Sequence, residues 1–544
     1  MKKYYDYIVF KNDEAVDDYL CSRVLDPSRR DYGGFRDKFV DIKKTVYSFS
    51  YMAAAYVCPD SKYFKSPALK DAMSLSLDFF NRELRETQTI DFVMCNFSSA
   101  PDTAFCIEKL VPSFKLIDHE PSLKSVAHEL YILIEKMTIG ICKGGFHTPN
   151  HRWAISSALL QSSQINLDSK MVKVFTEAAD KYLNEGIDCN EDGEYAERSS
   201  GNYNAVVNRA LISLYEITGK KEYLEYIKRN LKMMLYYFDP DDTIFTDNST
   251  RQDMGTKEFG LKYFFQYLYV SNEDELFSRA ACKLIEGGIK RDEFPNFLVD
   301  ILLRKHLLDH KLSSPEFILD YNKYFKESGV VRYRKNNLTY SLVKDKKHFL
   351  ILKYKDMRLQ VHIGVSLCHV RYFEIQEIVP KENGYELFFD AEGWYYRPFE
   401  QKQESSDWWK MDHEKRELLI NNTFSMKVKI EHEEKTLTIH LDAGGYEHIP
   451  FRLEIGIPKY AMLENDQFTL EASSGNYMIL KEGNIRIQGE SCACKIGSGF
   501  FSHNYLGHPT NDPRQVDDFS LIMTGETASN KSISIEFEDN KWLY

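Results

Sequence analysis

Residues 193–219, GEYAERSSGNYNAVVNRALISLYEITG, join a polar, glycine-bearing loop directly to a helix. Val206, Val207, Ala210, Leu211 and Leu214 recur three and four residues apart, the spacing of one buried helical stripe. Gly219 then supplies the residue best able to take a left-handed stop. Immediately beyond it, Leu224, Ile227, Leu231, Met234 and Leu235 repeat the same period. The unit is therefore a loop followed by two helices.

Three further loops share this character: Asp91–Ser99 (DFVMCNFSS), Gly145–Trp153 (GFHTPNHRW) and Thr243–Arg251 (TIFTDNSTR). Their anchors Phe92, Phe146 and Phe245, with Tyr195, lie roughly fifty residues apart, the length of two helices and their turns. Each loop is expected to open a new helical hairpin. If the hairpins curl about an axis, equivalent loops share a rim, and Asn96, Asn150, His151, Tyr203, Asn248 and Arg251 meet in one cleft. The helical period runs from about Arg36 to about Phe325 without strand-like segments between.

Beyond Gly329 the period becomes two. Phe424, Met426, Val428 and Ile430 alternate with polar residues, and Leu437, Ile439 and Leu441 answer them across a turn. Phe451, Leu453 and Ile455, then Ile485 and Ile487, then Ile533, Ile535 and Phe537 continue the pattern. Many short alternating strands predict an antiparallel β-sandwich. The expected fold is thus a multidomain α-then-β chain. An N-terminal incomplete (α/α) toroid covers 1–328 and a sandwich covers 329–544, with the boundary near Lys326 to Val330, where Glu-Ser-Gly breaks the pattern.

Chemistry gathers before the helical run Ala154–Leu160. Pro149 biases Thr148 toward extended backbone, so a helix begins with Asn150, His151 and Arg152 near its open N–H groups. An asparagine there caps; the His-Arg pair beside it and the next loop's Glu197, Arg198, Asn202 and Tyr203 point to more. Asn150-His151 at a helix start and a Gly-x-Tyr at Tyr203 resemble the heparinase II/III-like polysaccharide lyases, built as an (α/α) toroid with a β-sandwich. The resemblance implies that Asn150 neutralises a substrate carboxylate, that His151 sits beside it, and that Tyr203 is the catalytic acid and in some members also the base. The family's Gly-His-x-His-Ala-Asp stretch is missing; Val365-Ser366-Leu367-Cys368-His369 stands near its place. No metal or other cofactor is therefore expected.

These residue types suit β-elimination from a uronate, where charge builds on the carboxylate and donors aimed at it supply the largest stabilisation. Arg152, Arg198 or Arg251 would add a charge-assisted fork, and a phenol, titrating near about 10, suits a departing alkoxide. Imidazole titrates near neutrality, so His151 is a base or a support for Tyr203. Asn96, Asn202, Glu197 and His369 complete the candidate substrate-binding set. Two other functions fit. Asp192 and Glu197 as paired carboxylates would make a glycoside hydrolase on the same toroid, although acidic turn residues are usually solvated. A catalytically silent carbohydrate-binding protein is the third. In the strand-rich part, His362, His369, His413, His440 and His448 are numerous, and a zinc site needs at least three that converge. Gly393–Pro398 and Trp408-Trp409 are aromatic loops suited to sugar stacking or packing.

The chain has 544 residues, 43% hydrophobic and 28% charged, with a formal net charge of −12. That balance repels a polyanionic backbone and carries no basic stripe, so nucleic acid is excluded as a partner. An acidic oligosaccharide needs only a locally positive cleft. The ten cysteines form no CxxC pair, and reduced thiols are expected. Met1–Phe10 holds no apolar run of signal-peptide type, and no membrane span is expected. We expect a cytoplasmic enzyme.

Overall fold

The computed structural model describes residues 1–36, 38–143, 148–293, 297–316, 320–504 and 518–540. It divides into two compact units, one of Met1–Phe238 with Thr243–Ile318, the other of Asp239–Asp242 with Leu319–Tyr544.

The first unit is helical. Ile42–Val57, Ala100–Ile117, Pro149–Ser163 and Tyr203–Thr218 pack in succession as an inner row. Phe264–Val270 continues it, and Leu298–Leu303 returns to pack on the first two. Pro67–Glu83, Lys124–Ile141, Ser169–Leu183, Lys221–Leu235 and Glu275–Arg291 alternate with these in sequence. Burial separates the layers. Pro149–Ser163 is buried all round from Trp153 onward, whereas Ser169–Leu183 buries only Phe175 and Ala179. Local chemistry sets the ends: Ser99 caps the N–H of Asp102, Asp168 that of Lys170, and Gly219, at φ 69°, turns its N–H back to the Tyr215 carbonyl. The four loops each lead into an inner helix, the last through a 3₁₀ turn at Gly260–Tyr263. Phe146, one of the four anchors, lies outside the described residues.

Three expectations need correction. Helix begins at Lys2–Ser22, well before Arg36. Its buried stripe Tyr4, Ile8, Asn12, Val16 and Tyr19 includes a polar member, with buried Asp13 beside it. Asn12 donates to the Tyr51 carbonyl at 3.1 Å and Asp13 accepts from Ser61 Oγ at 2.6 Å, so hydrogen-bonded polar groups interrupt the apolar period. A small hairpin, Ile90–Phe92 with Asn96–Ser99, also interrupts the helices. At the other end, Tyr321–Phe325 is already a strand paired with Val330–Lys335, so Glu327-Ser328-Gly329 is a hairpin turn inside the second unit. Gly329, at φ 64°, makes that turn.

Among the described residues, the second unit is a sandwich of two nine-stranded open sheets. Across one sheet run Thr469–Glu471, Met462–Glu464, Asn484–Gln488, Cys492–Gly497, Ser529–Asp539, Thr436–Gly445, Leu418–His432, Gly384–Tyr396 and Glu377–Lys381. The other runs Tyr477–Ile479, Phe519–Glu526, Pro450–Ile457, Met357–Leu367, Leu350–Tyr354, Leu338–Val343, Val330–Lys335 and Tyr321–Phe325, with Val370–Tyr372 beside Met357–Leu367. Pairing is antiparallel except where Tyr477–Ile479 joins Phe519–Glu526. Val428 faces Leu441 across one pair, and Phe424, Met426, Ile430, Ile485, Ile533 and Phe537 all enter the shared core. His440 faces outward between Ser532 and Glu431, as the alternation requires.

Candidate active site

Three successive loops of the helical unit meet through Glu197. Its Oε2 accepts the backbone N–H of Asn150 at 3.1 Å and the side-chain Nδ2 of Asn150 at 2.6 Å. Asn150 is the second residue of its helix, so the carboxylate satisfies an N–H that has no partner within the helix, at the positive end of the helix dipole. The other oxygen, Oε1, lies 3.3 Å from Nε of Arg251, on the next loop. The guanidinium of Arg251 in turn stands 5.2 Å over the ring of Tyr203. Asn150 and Glu197 are buried, while Arg251 and Tyr203 keep surface.

Tyr203 is the first residue of its helix. Its N–H is held by Ser199 Oγ at 3.0 Å, and its hydroxyl donates to Gln252 Oε1 at a long 3.4 Å. Asp253 fixes the surrounding turns, accepting from Ser199 Oγ at 2.9 Å, Ser249 Oγ at 2.6 Å and the Gly201 N–H at 2.9 Å. A second buried carboxylate, Glu194, takes Nδ2 of Asn248, the hydroxyl of Tyr237 at 3.3 Å, and Nε of Arg198 at 3.8 Å. Among the described residues, three buried oxygens here accept no hydrogen bond: Oδ1 of Asn150, Oδ1 of Asn248 and Oε1 of Glu197.

Of the residues chosen from sequence, Asn150, Glu197, Arg251 and Tyr203 form this chain, with Asn202 adjoining Tyr203. Asn150 differs from its expected part, because its Nδ2 is spent on Glu197 and on Thr148 Oγ1 at 3.2 Å. His151 lies edge-on to Phe105, at 5.8 Å between ring centroids. Arg152 turns away to Glu185 at 2.5 Å and Asp188 at 3.8 Å, and its neighbour Trp153 also bonds Asp188. Arg198 belongs to the Glu194 cluster. Asn96 is exposed and bonds its neighbour Ser99 at 3.1 Å, so the common rim does not bring it to Glu197. His369 is in the other unit, against Trp394 at 3.8 Å between centroids. Asp192 is on an exposed turn. Sequence reading missed Gln252, Asp253 and Glu194; the run Arg251-Gln252-Asp253 beside a flagged loop was the available signal. Among the described residues, no group of three His, Cys, Asp or Glu side chains converges on a metal position, and no helix is long and apolar enough to cross a membrane.

Beside Tyr203 opens a cavity of ≈ 260 Å³ between the inner helices, walled by Tyr47, Phe105, Lys109, Asn202, Arg209 and Gln266 among others. A shallower depression holds Tyr203, Gln252 and Asp253 and shares Asn202 and Lys262 with it. The loop chain and the cavity therefore adjoin.

No family model and no curated protein matches the sequence. Solved structures do match. Heparinase III aligns at TM-score 0.55 and 11% identity over 98% of this chain and 84% of its own. A heparan sulfate lyase mutant from Pedobacter heparinus aligns at 0.53 and 10%, over 98% and 83%. The chondroitin AC lyase of Streptomyces coelicolor A3, solved with chondroitin sulphate, aligns at 0.53 and 8%, over 98% and 79%. Helical unit and sandwich unit together thus have the fold of the heparinase-like polysaccharide lyases, an (α/α) toroid and an antiparallel β-sandwich.

Proposed function

We propose that this chain is a polysaccharide lyase that cleaves uronate-containing oligosaccharides by β-elimination. The observation that carries the reading is the chain Asn150–Glu197–Arg251–Tyr203, which presents a phenol and a guanidinium side by side on one end of the helical unit. In the reaction, a base removes the proton at C5 of the uronate, the C4–O bond breaks, a C4=C5 double bond forms, and the departing oxygen takes a proton. Tyr203 supplies that last proton, its hydroxyl being only weakly engaged by Gln252. Arg251 faces the carboxylate on which charge builds, its Nε side held from behind by Glu197 at 3.3 Å. Asn150 and Glu197 act behind them, as the buried support that fixes Arg251. The shared fold with lyases of heparan and chondroitin glycans supports the reaction class. Incubating the protein with a panel of uronic oligosaccharides tests it: new ultraviolet absorbance from the C4=C5 bond is expected. Saturated products carrying an added water would identify a hydrolase, and binding without products a silent lectin.

A further inference from the structure

The cavity beside Tyr203 contains an unpaired cation. Lys109 projects into it from Ala100–Ile117. Among the described residues its ammonium has no hydrogen-bond or ion-pair partner, only the ring of Tyr47 at 5.3 Å. The other two cations in the wall are paired. Arg209 holds Asp300 through two bonds of 3.3 and 3.0 Å, and Lys262 holds Glu258 at 2.7 Å. Glu108, next in sequence, makes no ion pair with Lys109, and burial pushes its carboxyl up to about 7. An ammonium that no carboxylate touches directly is costly to bury, and this one faces open space. Burial and the nearby Arg209 pull Lys109 down to about 8, against the opposing pull of the Asp300 and Glu108 carboxylates.

The shape is equally specific. Tyr47, Tyr51, Phe105 and Phe297 give the cavity apolar faces, and Asn202 and Gln266 give it neutral donors. Pro112, inside the helix, along with Glu108, Arg209 and Asp300, lines both this cavity and a second of ≈ 160 Å³ beyond. They form a floor. The volume is at the small end for a ligand site, sufficient for one sugar ring rather than a threaded chain.

We propose that this cavity is a subsite for the terminal sugar residue of the substrate, its oxyanion held by Lys109 and its ring against the aromatic walls, so that the enzyme works from a chain end. This rests on the lyase reading for the linkage at Tyr203 but makes its own demand on Lys109. The test is titration calorimetry of the intact protein with D-glucuronate, glucose and inorganic sulfate. Glucuronate is expected to bind the wild type and Tyr203→Phe alike, and to lose about tenfold or more in affinity in Lys109→Met. Glucose, lacking the charge, and sulfate, lacking the ring, are expected to bind more weakly than glucuronate. Glucuronate binding indifferent to Lys109→Met overturns the proposal, and so does binding matched by glucose or by sulfate. Should Lys109→Met fail to fold, the wild type still decides: at about pH 9 glucuronate must take up protons as the ammonium recharges, and binding without uptake contradicts the assignment. Glucuronate bound through Lys109 without any unsaturated product would leave the subsite standing and remove the lyase reading. Unsaturated products with no effect of Lys109→Met would do the reverse.

Discussion

The Glu197 carboxylate grips Asn150 twice through one oxygen, by its backbone N–H at 3.1 Å and its side-chain amide at 2.6 Å. A residue of one loop thereby closes the start of the helix that follows the preceding loop. Asn150→Ala removes one of the two donors from a buried charge, and a loss of about 1–3 kcal/mol in unfolding free energy is expected from urea denaturation. If Asn150 supports Arg251 as proposed, the same variant also lowers turnover on a uronate substrate. Unchanged stability would mean that the pair contributes nothing to the loop's position.

A separate buried cluster holds the sandwich unit. Asp239, fully buried, binds Arg332 at 2.5 Å and also Lys353. Burial alone would raise its pKa, but Lys353 and Arg332 hold it below the ordinary carboxylate value. A depressed carboxylate contributes stability that is complete above its unfolded pKa of about 4 and is lost as pH falls through the folded value. Asp239→Asn should therefore cost about 3–5 kcal/mol at neutral pH, by leaving two cations unmatched, and should flatten the loss of stability in acid. Equal urea midpoints at pH 7 would contradict this.

Glu108 carries the opposite sign. Its folded pKa is raised from 4.5 to about 7 by burial, so its contribution is complete below 4.5 and is lost as pH rises through about 7. Glu108→Gln is expected to remove that part of the stability decline between pH 4.5 and 7, read from denaturation midpoints across the range. A profile identical to the wild type would show that Glu108 is solvated.

Gly193 opens the loop that carries Glu197 and Tyr203. It sits at φ 98°, and a Cβ there would lie 2.4 Å from the Arg229 carbonyl oxygen. Gly193→Ala combines positive-φ strain with a backbone clash, and about 2 kcal/mol or more of destabilisation is expected by thermal or urea unfolding. A neutral substitution would mean that the loop can move off the helix Lys221–Leu235.

Much of this architecture could be read from the chain because the signals were periodic. Val206 to Leu214 with its Gly219 stop, and the alternation from Phe424 to Leu441, each carry their own evidence of buried face and element type. What escaped notice was polar and buried. Asn12 and Asp13 interrupt the apolar stripe of Lys2–Ser22 and are hydrogen-bonded by partners far along the chain, Tyr51 for the first and Ser61 and Lys62 for the second. The loops suggested which residues belong to the site, and three of them do meet. Local sequence could not say that Glu197 would occupy the amide of Asn150, or that Arg152 would leave for Glu185, because both depend on which loop lies next in space. Lys109 was invisible for the same reason: a lysine in an amphipathic helix normally reaches water.

In the proposed elimination the Tyr203 hydroxyl moves a proton. Tyr203→Phe keeps the ring under Arg251 and removes only the oxygen. With a uronic oligosaccharide that the wild type converts, the variant should bind within a fewfold of the wild-type affinity and form the unsaturated, ultraviolet-absorbing product at about a hundredth of the rate or less. Product formation by Tyr203→Phe at close to the wild-type rate would contradict it.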